Sequence, residues 1–324
     1  MSFDIKYFGT SHGPEIGVIA NGIPKNEEFN LLELQKFLDR RRPGTSVTVS
    51  PREEADIPIF ESGIRKSENA DIFLTNGEEL KVLIKNTDVS KEDYETFKFT
   101  PRPGHADYTA WTKYGDDYDF FGGGQFSGRL TAPMCVLGGI CLQILKRRNI
   151  IISTQIKTIG DIEKAKQNGD SVGGIISCQI DGLPAGVGGP FSDGLESRLS
   201  SALFAIPAVK GVEFGAGFAA ANMFGSECND QFLIKDDKVV TDTNNCGGIL
   251  GGISNGMPIT FNIAFKPTPS IQQKQKTVNL KTKSETTIEI RGRHDPCIVP
   301  RALPVVEAVT AICITEVLTE EKKL

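Results

Sequence analysis

The three histidines of this 324-residue chain all lie in polar segments that glycine or proline interrupts. The segments are Ser11-His12-Gly13, Arg102-Pro103-Gly104-His105-Ala106-Asp107 and Arg291-Gly292-Arg293-His294-Asp295-Pro296. An imidazole exchanges protons near neutral pH, and the planar guanidinium of an arginine pairs well with a carboxylate or a phosphate. The combination predicts an enzyme that carries out acid–base chemistry on an anionic ligand.

Arginines are concentrated in similar glycine- and proline-containing segments, although the net charge of the chain is −5. They are Arg40, Arg41, Arg42, Arg52, Arg102, Arg129, Arg291, Arg293 and Arg301. General nucleic-acid binders neutralise many phosphates and carry a basic surface, so the acidic balance argues against that class. A single basic cleft that selects a small anion is favoured, with solvated loop arginines as the alternative.

Two glycine-rich stretches have the composition of phosphate-binding loops. Gly122-Gly123-Gly124 is followed by Ser127 and Arg129, which brings bare backbone amides, a hydroxyl and a guanidinium into one short segment. Gly251-Gly252 begins a second stretch, and a lysine with two hydroxyl groups follows it in the segment from Lys266 to Ser270. A plain flexible loop is the alternative explanation for the triple glycine.

One competing pattern points to a dinucleotide-binding loop. Residues 215–220, Gly-Ala-Gly-Phe-Ala-Ala, fit the G-x-G-x-x-A form, with Asp236 and Asp237 near the distance expected for a ribose-binding carboxylate. The pattern lies late in the chain, and the regular alternation of strands and helices that a doubly wound sheet requires is missing. An NAD(P)-dependent oxidoreductase and a non-enzymatic flavin- or phosphate-binding module stay as alternatives.

Hydrophobic periodicity predicts the elements that must position these groups. Helices are predicted over residues 29–42, with Asn30 at the start, over 132–148 and over 304–320. Strands are predicted over 151–156, 174–180 and 259–265. Because no linker or repeat divides the chain, residues 1–324 are predicted to form one α+β domain.

Composition also indicates the cellular setting. The seven cysteines are widely spaced and contain no C-x-x-C pair, which predicts neither a disulfide framework nor a metal site and favours the reducing cytoplasm. The start of the sequence lacks a leader, and the longest apolar stretch, about residues 132–145, is shorter than the ~20 residues of a spanning helix. No membrane role is expected.

In their order along the chain, these motifs resemble those of the chorismate synthase family, from about Phe8 to Leu318. The resemblance rests on Ser11-His12-Gly13, residues 40–46, residues 85–88, Arg102 to Thr109, residues 113–115, Gly122-Gly123-Gly124, Pro207 to Gly217, Gly247 to Gly256, Lys266-Pro267-Thr268 and Gly292 to Arg301. So many ordered matches are more specific than any single loop. The family's Val-Glu-x-Gly-x-Gly-Phe stretch also accounts for the dinucleotide-like pattern.

The resemblance implies a β-α-β sandwich in which helices are packed between antiparallel sheets. It implies conversion of 5-enolpyruvylshikimate 3-phosphate to chorismate by anti-1,4 elimination of phosphate and a ring proton. This lyase reaction is the last step of the shikimate pathway, which serves aromatic amino acid biosynthesis. The resemblance further implies reduced FMN as a cofactor without net redox change, NADPH as a candidate reductant, and a homotetramer.

Site residues follow from the resemblance by motif position. His12 would protonate the departing phosphate, His105 would stay cationic beside the reduced flavin, and Asp295 would assist proton removal at flavin N5. The implied FMN contacts are Gln125, Phe126, Ser127, Pro207, Ala208, Gly251, Lys266, Pro267, Thr268, Pro269, Ser270 and Arg293. The residues implied to hold the substrate are Ser11, Arg41, Arg102 and Arg129.

The sequence departs from the family's usual pattern at several positions. Val47 stands where the family usually has Arg, and Phe121, Gln125 and Phe126 replace Arg, Arg and Ser around the triple glycine. Residues 76–79, Asn-Gly-Glu-Glu, differ from the usual Thr-Gly-Thr-Pro. These differences remove positive charge near the implied site, so a divergent relative with altered activity is the alternative.

Overall fold

The structure, a computed structural model, describes residues 3–42, 54–87, 98–115, 121–290 and 295–324. Its two largest sheets are four-stranded and antiparallel throughout. The first sheet has the strand order β1 (Asp4–Gly9), β2 (Glu15–Asn21), β7 (Leu80–Lys85) and β4 (Ile59–Ser62). The second sheet has the order β10 (Val209–Phe214), β15 (Ile259–Phe265), β9 (Gly174–Asp181) and β8 (Ile151–Ile159).

Smaller sheets and helices complete the described residues. A three-stranded sheet has the order β3 (Glu28–Asn30), β6 (Ile72–Thr75) and β5 (Ile64–Lys66). Two-stranded sheets pair β11 (Phe232–Lys235) with β12 (Lys238–Thr241), β13 (Ile249–Leu250) with β14 (Ile253–Ser254), and β16 (Gln275–Asn279) with β17 (Ser284–Ile288). The α-helices are α1 (Leu31–Asp39), α2 (Asp107–Tyr114), α3 (Thr131–Lys146), α4 (Ile162–Gln167), α5 (Leu195–Phe204), α6 (Gly225–Cys228) and α7 (Val299–Glu320). Short 3₁₀ segments cover Phe121–Phe126, Gly128–Leu130, Phe191–Asp193 and Gly217–Asn222.

Helices α3 and α7 fill the space between the two large sheets. α3 packs against β2 and β7, α7 packs against β8 and β9, and the two helices pack against each other. Most residues of both helices are buried, as expected for helices that have apolar neighbours on every side. The predicted sandwich of helices between antiparallel sheets is therefore confirmed.

The two core helices approach each other closely at one glycine. A Cβ atom added to Gly138 would lie 2.3 Å from both the Cα and the Cβ of Ala308. Protein interiors are packed at the density of organic crystals, so no methyl group fits in this gap without displacing a helix. The spacing of α3 and α7 thus depends on a residue without a side chain.

The C-terminal helix differs from its prediction. α7 has 22 residues and begins at Val299 rather than at Pro304. Amides of the first helical turn lack intrahelical partners, so Pro300 costs no hydrogen bond there, and burial of the helix offsets the bond that Pro304 removes. The expectation that no apolar stretch is long enough to span a membrane is wrong for two segments of the described residues, Gly128–Lys146 and Val299–Glu320, whose mean hydropathies reach 1.4 and 1.7. Since 83% of each window is buried inside the protein, both are placed as core helices.

The other predicted elements are present with small changes in their bounds. Asn30 caps α1 by accepting a hydrogen bond from the Glu33 amide over 3.0 Å, as its position predicted. The helix ends at Asp39, so Arg41 lies in the turn that follows it. β15 covers the predicted residues, whereas β8 and β9 extend beyond them.

Candidate active site

A cavity of about 760 Å³ lies where the N-terminal parts of α3 and α7 meet the segments 125–130, 204–210 and 265–270. Small-molecule sites commonly have volumes of ~300–1,000 Å³. Four arginines and two lysines are among the described residues that line the cavity, against the carboxylates of Glu54 and Asp295. The balance of charge at the wall favours an anionic ligand.

Asp56 holds two of these arginines with its two carboxylate oxygens. Arg41 Nη1 donates to Oδ2 over 2.5 Å, and Arg129 Nη1 donates to Oδ1. All three side chains are almost completely buried. Burial by itself raises the pKa of Asp56, but the two guanidinium groups outweigh burial and lower the pKa below its ordinary value. The charged carboxylate therefore fixes the spacing of two cations at the cavity wall.

Arg129 also carries a donor group that the fold does not satisfy. Its Nε atom donates to Asn86 Oδ1 over 3.0 Å, while Nη2 is buried and has no hydrogen-bond partner among the described residues. Glu54 Oε2 lies 3.6 Å from Nη2, which is beyond hydrogen-bond distance. Because a buried donor without a partner lowers the stability of the fold, Arg129 Nη2 is suited to donate a hydrogen bond to a ligand anion.

Arg102, His105 and Asp107 form a second cluster at the start of α2. The Asp107 carboxylate lies 2.7 Å from Arg102 Nε, 2.8 Å from Arg102 Nη2 and 2.5 Å from His105 Nδ1. Burial raises the pKa of Asp107, but hydrogen bonds from Arg102 and His105 hold the pKa well below its usual range. An anion buried between a guanidinium and an imidazole fixes both groups at the edge of the cavity.

The triple glycine leaves room for the His105 ring. Gly123 has a φ of 97°, and a Cβ atom added there would lie 3.1 Å from both Cε1 and Nε2 of His105. The left-handed backbone and the close approach both favour glycine at this position. The glycines thus bring the backbone of residues 123–124 next to the imidazole.

Ser11 and His12 lie in the loop between β1 and β2. The Ser11 hydroxyl is 3.0 Å from His12 Nδ1, so these two neighbours contact each other directly. Asn86 binds the same loop, because its Nδ2 donates to the carbonyl oxygens of Thr10 and Gly13. The other end of the Asn86 amide accepts from Arg129, which links the loop to the cavity wall.

The segments 204–210 and 265–270 contribute backbone groups and lysines to the cavity lining. Ala208 has a φ of 74°, a conformation that alanine rarely adopts, and its carbonyl oxygen accepts from the Lys266 amide over 3.0 Å. The Lys266 ammonium donates to the Gly104 carbonyl. Burial lowers the pKa of Lys266, and the charge of Lys210 lowers it further. Strained backbone of this kind is concentrated at binding sites.

Asp295 lies at the end of the cavity nearest α7. Its carboxylate pairs with Arg301 Nη1, and Arg301 Nε donates to the Arg41 carbonyl oxygen over 2.9 Å. The Asp295 carbonyl oxygen accepts from the Thr268 hydroxyl over 2.9 Å. These bonds join three segments of the chain around one wall.

Comparison with known proteins assigns the chain and its fold to one family. The family model described as chorismate synthase matches residues 3–164 and 157–319. The chain belongs to the chorismate synthase family. The chorismate synthase of Pyrococcus abyssi is 46% identical over 342 residues, with 95% of this chain and 94% of the relative covered. That of Thermococcus kodakarensis is 42% identical over 352 residues, with 99% and 97% covered. A crystal structure of chorismate synthase superposes with a TM-score of 0.77 at 25% identity, covering 99% of this chain and 93% of the other. The predicted family is confirmed.

Most site residues implied by the chorismate synthase motifs line the one cavity. They are Arg41, Arg102, His105, Gln125, Phe126, Ser127, Arg129, Pro207, Ala208, Lys266, Thr268, Pro269, Ser270 and Asp295. The lining residues do not include Ser11, His12, Pro267 or Gly251. Gly251 lies in the turn between β13 and β14, and among the described residues no atom outside its chain neighbours is within 4 Å of the position that a Cβ would take. Arg293, His294 and Val47 lie outside the described residues.

The sequence patterns did not point to the carboxylates that organise the site. Asp56 and Glu54 are two residues apart in a segment that no motif singled out, and Asp107 was noted in its motif without a role. One signal was available, since arginines are almost never fully buried without an acidic partner. A cluster of arginines expected at one cavity therefore required several acidic residues nearby.

The dinucleotide interpretation of residues 215–220 is not supported. β10, which precedes the glycines, pairs antiparallel with β15, whereas a dinucleotide fold places this loop after a parallel strand. A short 3₁₀ segment follows in place of a long helix. The Phe218 amide donates to Glu213 Oε2 over 3.3 Å, so a carboxylate occupies the side of the loop where a pyrophosphate would bind.

Proposed function

We propose that the chain is a carbon–oxygen lyase that converts 5-enolpyruvylshikimate 3-phosphate to chorismate and phosphate, the last step of the shikimate pathway. Membership in the chorismate synthase family supports this reaction. The observation that carries it in this chain is the convergence of Arg41, Arg102, Arg129 and His105 on one cavity. The substrate bears a phosphate and two carboxylates, which suit three guanidinium groups.

The three arginines bind the substrate's negative charges. Asp56 bridges Arg41 and Arg129, and Asp107 binds Arg102. The orientation of the three guanidinium groups is therefore set before the ligand enters. Preorganised charges of this kind need no rearrangement as negative charge develops on the leaving phosphate. The unsatisfied Nη2 donor of Arg129 supplies one direct contact to an anionic oxygen.

Two residues transfer protons in the elimination, and a third supplies positive charge. His12 protonates the departing phosphate, which requires the phosphate to lie on the Asn86 side of the cavity, where the Ser11–His12 loop is joined to Arg129. His105 places positive charge beside the cofactor, and Asp295 assists removal of the ring proton. The pairing of Asp295 with Arg301 keeps its carboxylate at the cavity wall.

The residues present fit reduced FMN. The cavity is of small-molecule size, its wall contains the strained Ala208 backbone, and Lys266 and Ser270 supply polar contacts. Gln125, Phe126 and Ser127 line the same space. When bound there, reduced FMN would supply electron density that assists the loss of phosphate, without net redox change. NADPH as the source of reducing equivalents stays a prediction.

Assembly and compartment also belong to the proposal. A single-domain protomer in a cytoplasmic homotetramer is consistent with two observations. Large apolar side chains are exposed at Phe191, Phe218, Phe224 and Ile234, as expected of surfaces that pack against other subunits. All seven cysteines are free, which suits a reducing compartment.

An anaerobic assay tests the reaction. The purified protein is mixed with 5-enolpyruvylshikimate 3-phosphate and photoreduced FMN, and the release of phosphate and the formation of chorismate are followed together. We expect turnover only with reduced FMN. Equal turnover with oxidised FMN and no reductant would contradict the mechanism, and stoichiometric oxidation of a nicotinamide would identify an oxidoreductase instead.

A further inference from the structure

Asp107 is a buried carboxylate that does not line the cavity but contacts two residues that do. Its side chain is only 6% exposed. It accepts hydrogen bonds from the Arg102 amide over 3.0 Å and from Arg102 Nε over 2.7 Å on Oδ2, while Oδ1 lies 2.8 Å from Arg102 Nη2 and 2.5 Å from His105 Nδ1. The residue begins α2, where the helix dipole also favours a negative charge.

These contacts determine where the His105 ring carries a proton. A carboxylate can only accept, so the short contact to Oδ1 requires a proton on Nδ1. Arg102 Nη2 lies 3.1 Å from the same nitrogen but donates to Asp107 Oδ1 over 2.8 Å, so of these two neighbours only the carboxylate accepts the Nδ1 proton. The ring is thereby oriented with Nε2 on the side of Gly123, within 3.1 Å of the position of an added Cβ.

We propose that Asp107 is the positioning residue of this site, which holds the Nδ1–H group and the orientation of His105 and binds the Arg102 guanidinium with the same carboxylate. One carboxylate thus couples a substrate-binding cation to the histidine beside the cofactor. The consequence for catalysis rests on the proposed function, whereas the Asp107–His105 hydrogen bond does not.

Proton NMR of the full chain, labelled with ¹⁵N only at histidine, tests the hydrogen bond without any assay of activity. Three histidines give few signals, and His105→Ala identifies the one that belongs to His105. We expect a strongly downfield Nδ1–H proton in the wild type that moves into the ordinary imidazole range in Asp107→Asn. The matched control is Asp230→Asn, which removes a carboxylate that accepts from Thr243 and two backbone amides away from the cavity. An unmoved His105 signal in Asp107→Asn, or no downfield signal in the wild type, overturns the proposal.

Turnover of the same variants tests the consequence for catalysis. We expect Asp107→Asn to lower kcat by about 10-fold or more and to raise KM, as loss of both an oriented histidine and a fixed arginine requires. Asp230→Asn should retain both constants. A displaced His105 signal with unchanged kcat would refute the positioning role. A wild type that is inactive on the substrate would instead refute the proposed function and leave the NMR result to decide the hydrogen bond.

Asp107→Glu covers the case in which Asp107→Asn does not fold. It keeps the negative charge and moves it by one methylene group, so the carboxylate still accepts but from a shifted position. We expect its His105 signal and its kcat to lie between those of the wild type and a full loss. A loss of turnover with the His105 signal at its wild-type position would count against the proposal.

Discussion

Replacing Asp56 by alanine removes the one anion that two buried arginines share. Arg41 and Arg129 each direct an Nη1 atom at a different oxygen of this carboxylate, and the Asp56 side chain has no exposed surface. After the substitution, both guanidinium groups stay inside the protein, close to each other and without their common counter-charge. Thr131 still accepts from Arg41 and Asn86 still accepts from Arg129, but both are uncharged, and the Glu54 carboxylate stays 3.6 Å from Arg129 Nη2, beyond hydrogen-bond distance.

The expected loss of stability is large for a single side chain. Removing one partner of a buried ion pair costs about 3–5 kcal/mol, since the remaining charge is left without compensation. Domains are stable by only ~5–15 kcal/mol in total. We therefore expect Asp56→Ala to lower the free energy of unfolding by about 3–5 kcal/mol in urea titrations followed by circular dichroism.

The matched control is Glu61→Ala, which breaks a carboxylate–cation pair at the surface. Glu61 lies 2.7 Å from Lys81, but the two side chains are 43% and 38% exposed. Pairs of this kind contribute ~0–1 kcal/mol. A loss in Asp56→Ala no larger than the loss in Glu61→Ala would refute the assignment of Asp56 as a buried counter-ion.

A second measurement asks whether a ligand anion takes the place of the lost carboxylate. Inorganic phosphate that binds only the folded protein adds about 1.4 kcal/mol when its concentration is ten times its Kd. We expect phosphate to stabilise Asp56→Ala more than the wild type, while sodium chloride at equal ionic strength does not. Equal effects of phosphate on both proteins would show that the two arginines do not face the anion site.

Three further predictions concern proton transfer, missing charge and pH. His12→Ala and His105→Ala should each lower turnover by roughly 10²-fold with the fold retained by circular dichroism, and near-normal turnover at saturating ligand would remove the assigned role. Gln125→Arg and Val47→Arg should tighten substrate or FMN binding by roughly 10- to 100-fold in anaerobic titrations, because a charged hydrogen bond contributes about 1.5–3 kcal/mol; unchanged or weaker binding of both ligands in both variants would contradict this. The folded-state pKa of Asp107 is lowered, so its stabilising effect is present above about pH 4, where an unfolded carboxyl ionises, and is lost as the pH falls through the folded value. In urea titrations at a series of acidic pH values, the free energy of unfolding should therefore fall less with decreasing pH for Asp107→Asn than for the wild type. Parallel plots of this free energy against pH would contradict the prediction.

Local patterns in the sequence predicted where helices and strands lie better than they predicted which of these elements pack together. Asn30 marks the start of α1 because its side chain satisfies an amide three residues later, a contact that the sequence order alone determines. The strand from Ile259 to Phe265 alternates buried and partly buried residues, so its period was readable. The prediction began α7 at Pro304, five residues after its start in the structure, because the packing that stabilises the first turn comes from distant segments.

The site could be predicted only through its motifs. Fourteen of the residues that the family pattern implied line the cavity, but the partners of the arginines depend on contacts between remote segments. Asp56 meets Arg129 across 73 positions of sequence, and no periodicity reports such a contact. Gly251 belongs to a family motif but is not among the residues that line the cavity. A motif position alone does not say whether a residue faces the cavity of its own chain.

The contact between Gly138 and Ala308 sets the spacing of the two helices that contribute to the cavity lining. α3 contributes Met134 to the cavity lining and α7 contributes Val305, and the two helices meet backbone to backbone at Gly138 and Ala308. This helix–helix contact cannot become closer, because no side chain lies between the two backbones that could change its rotamer. The distance between the two helices at the base of the cavity is therefore fixed by their backbones.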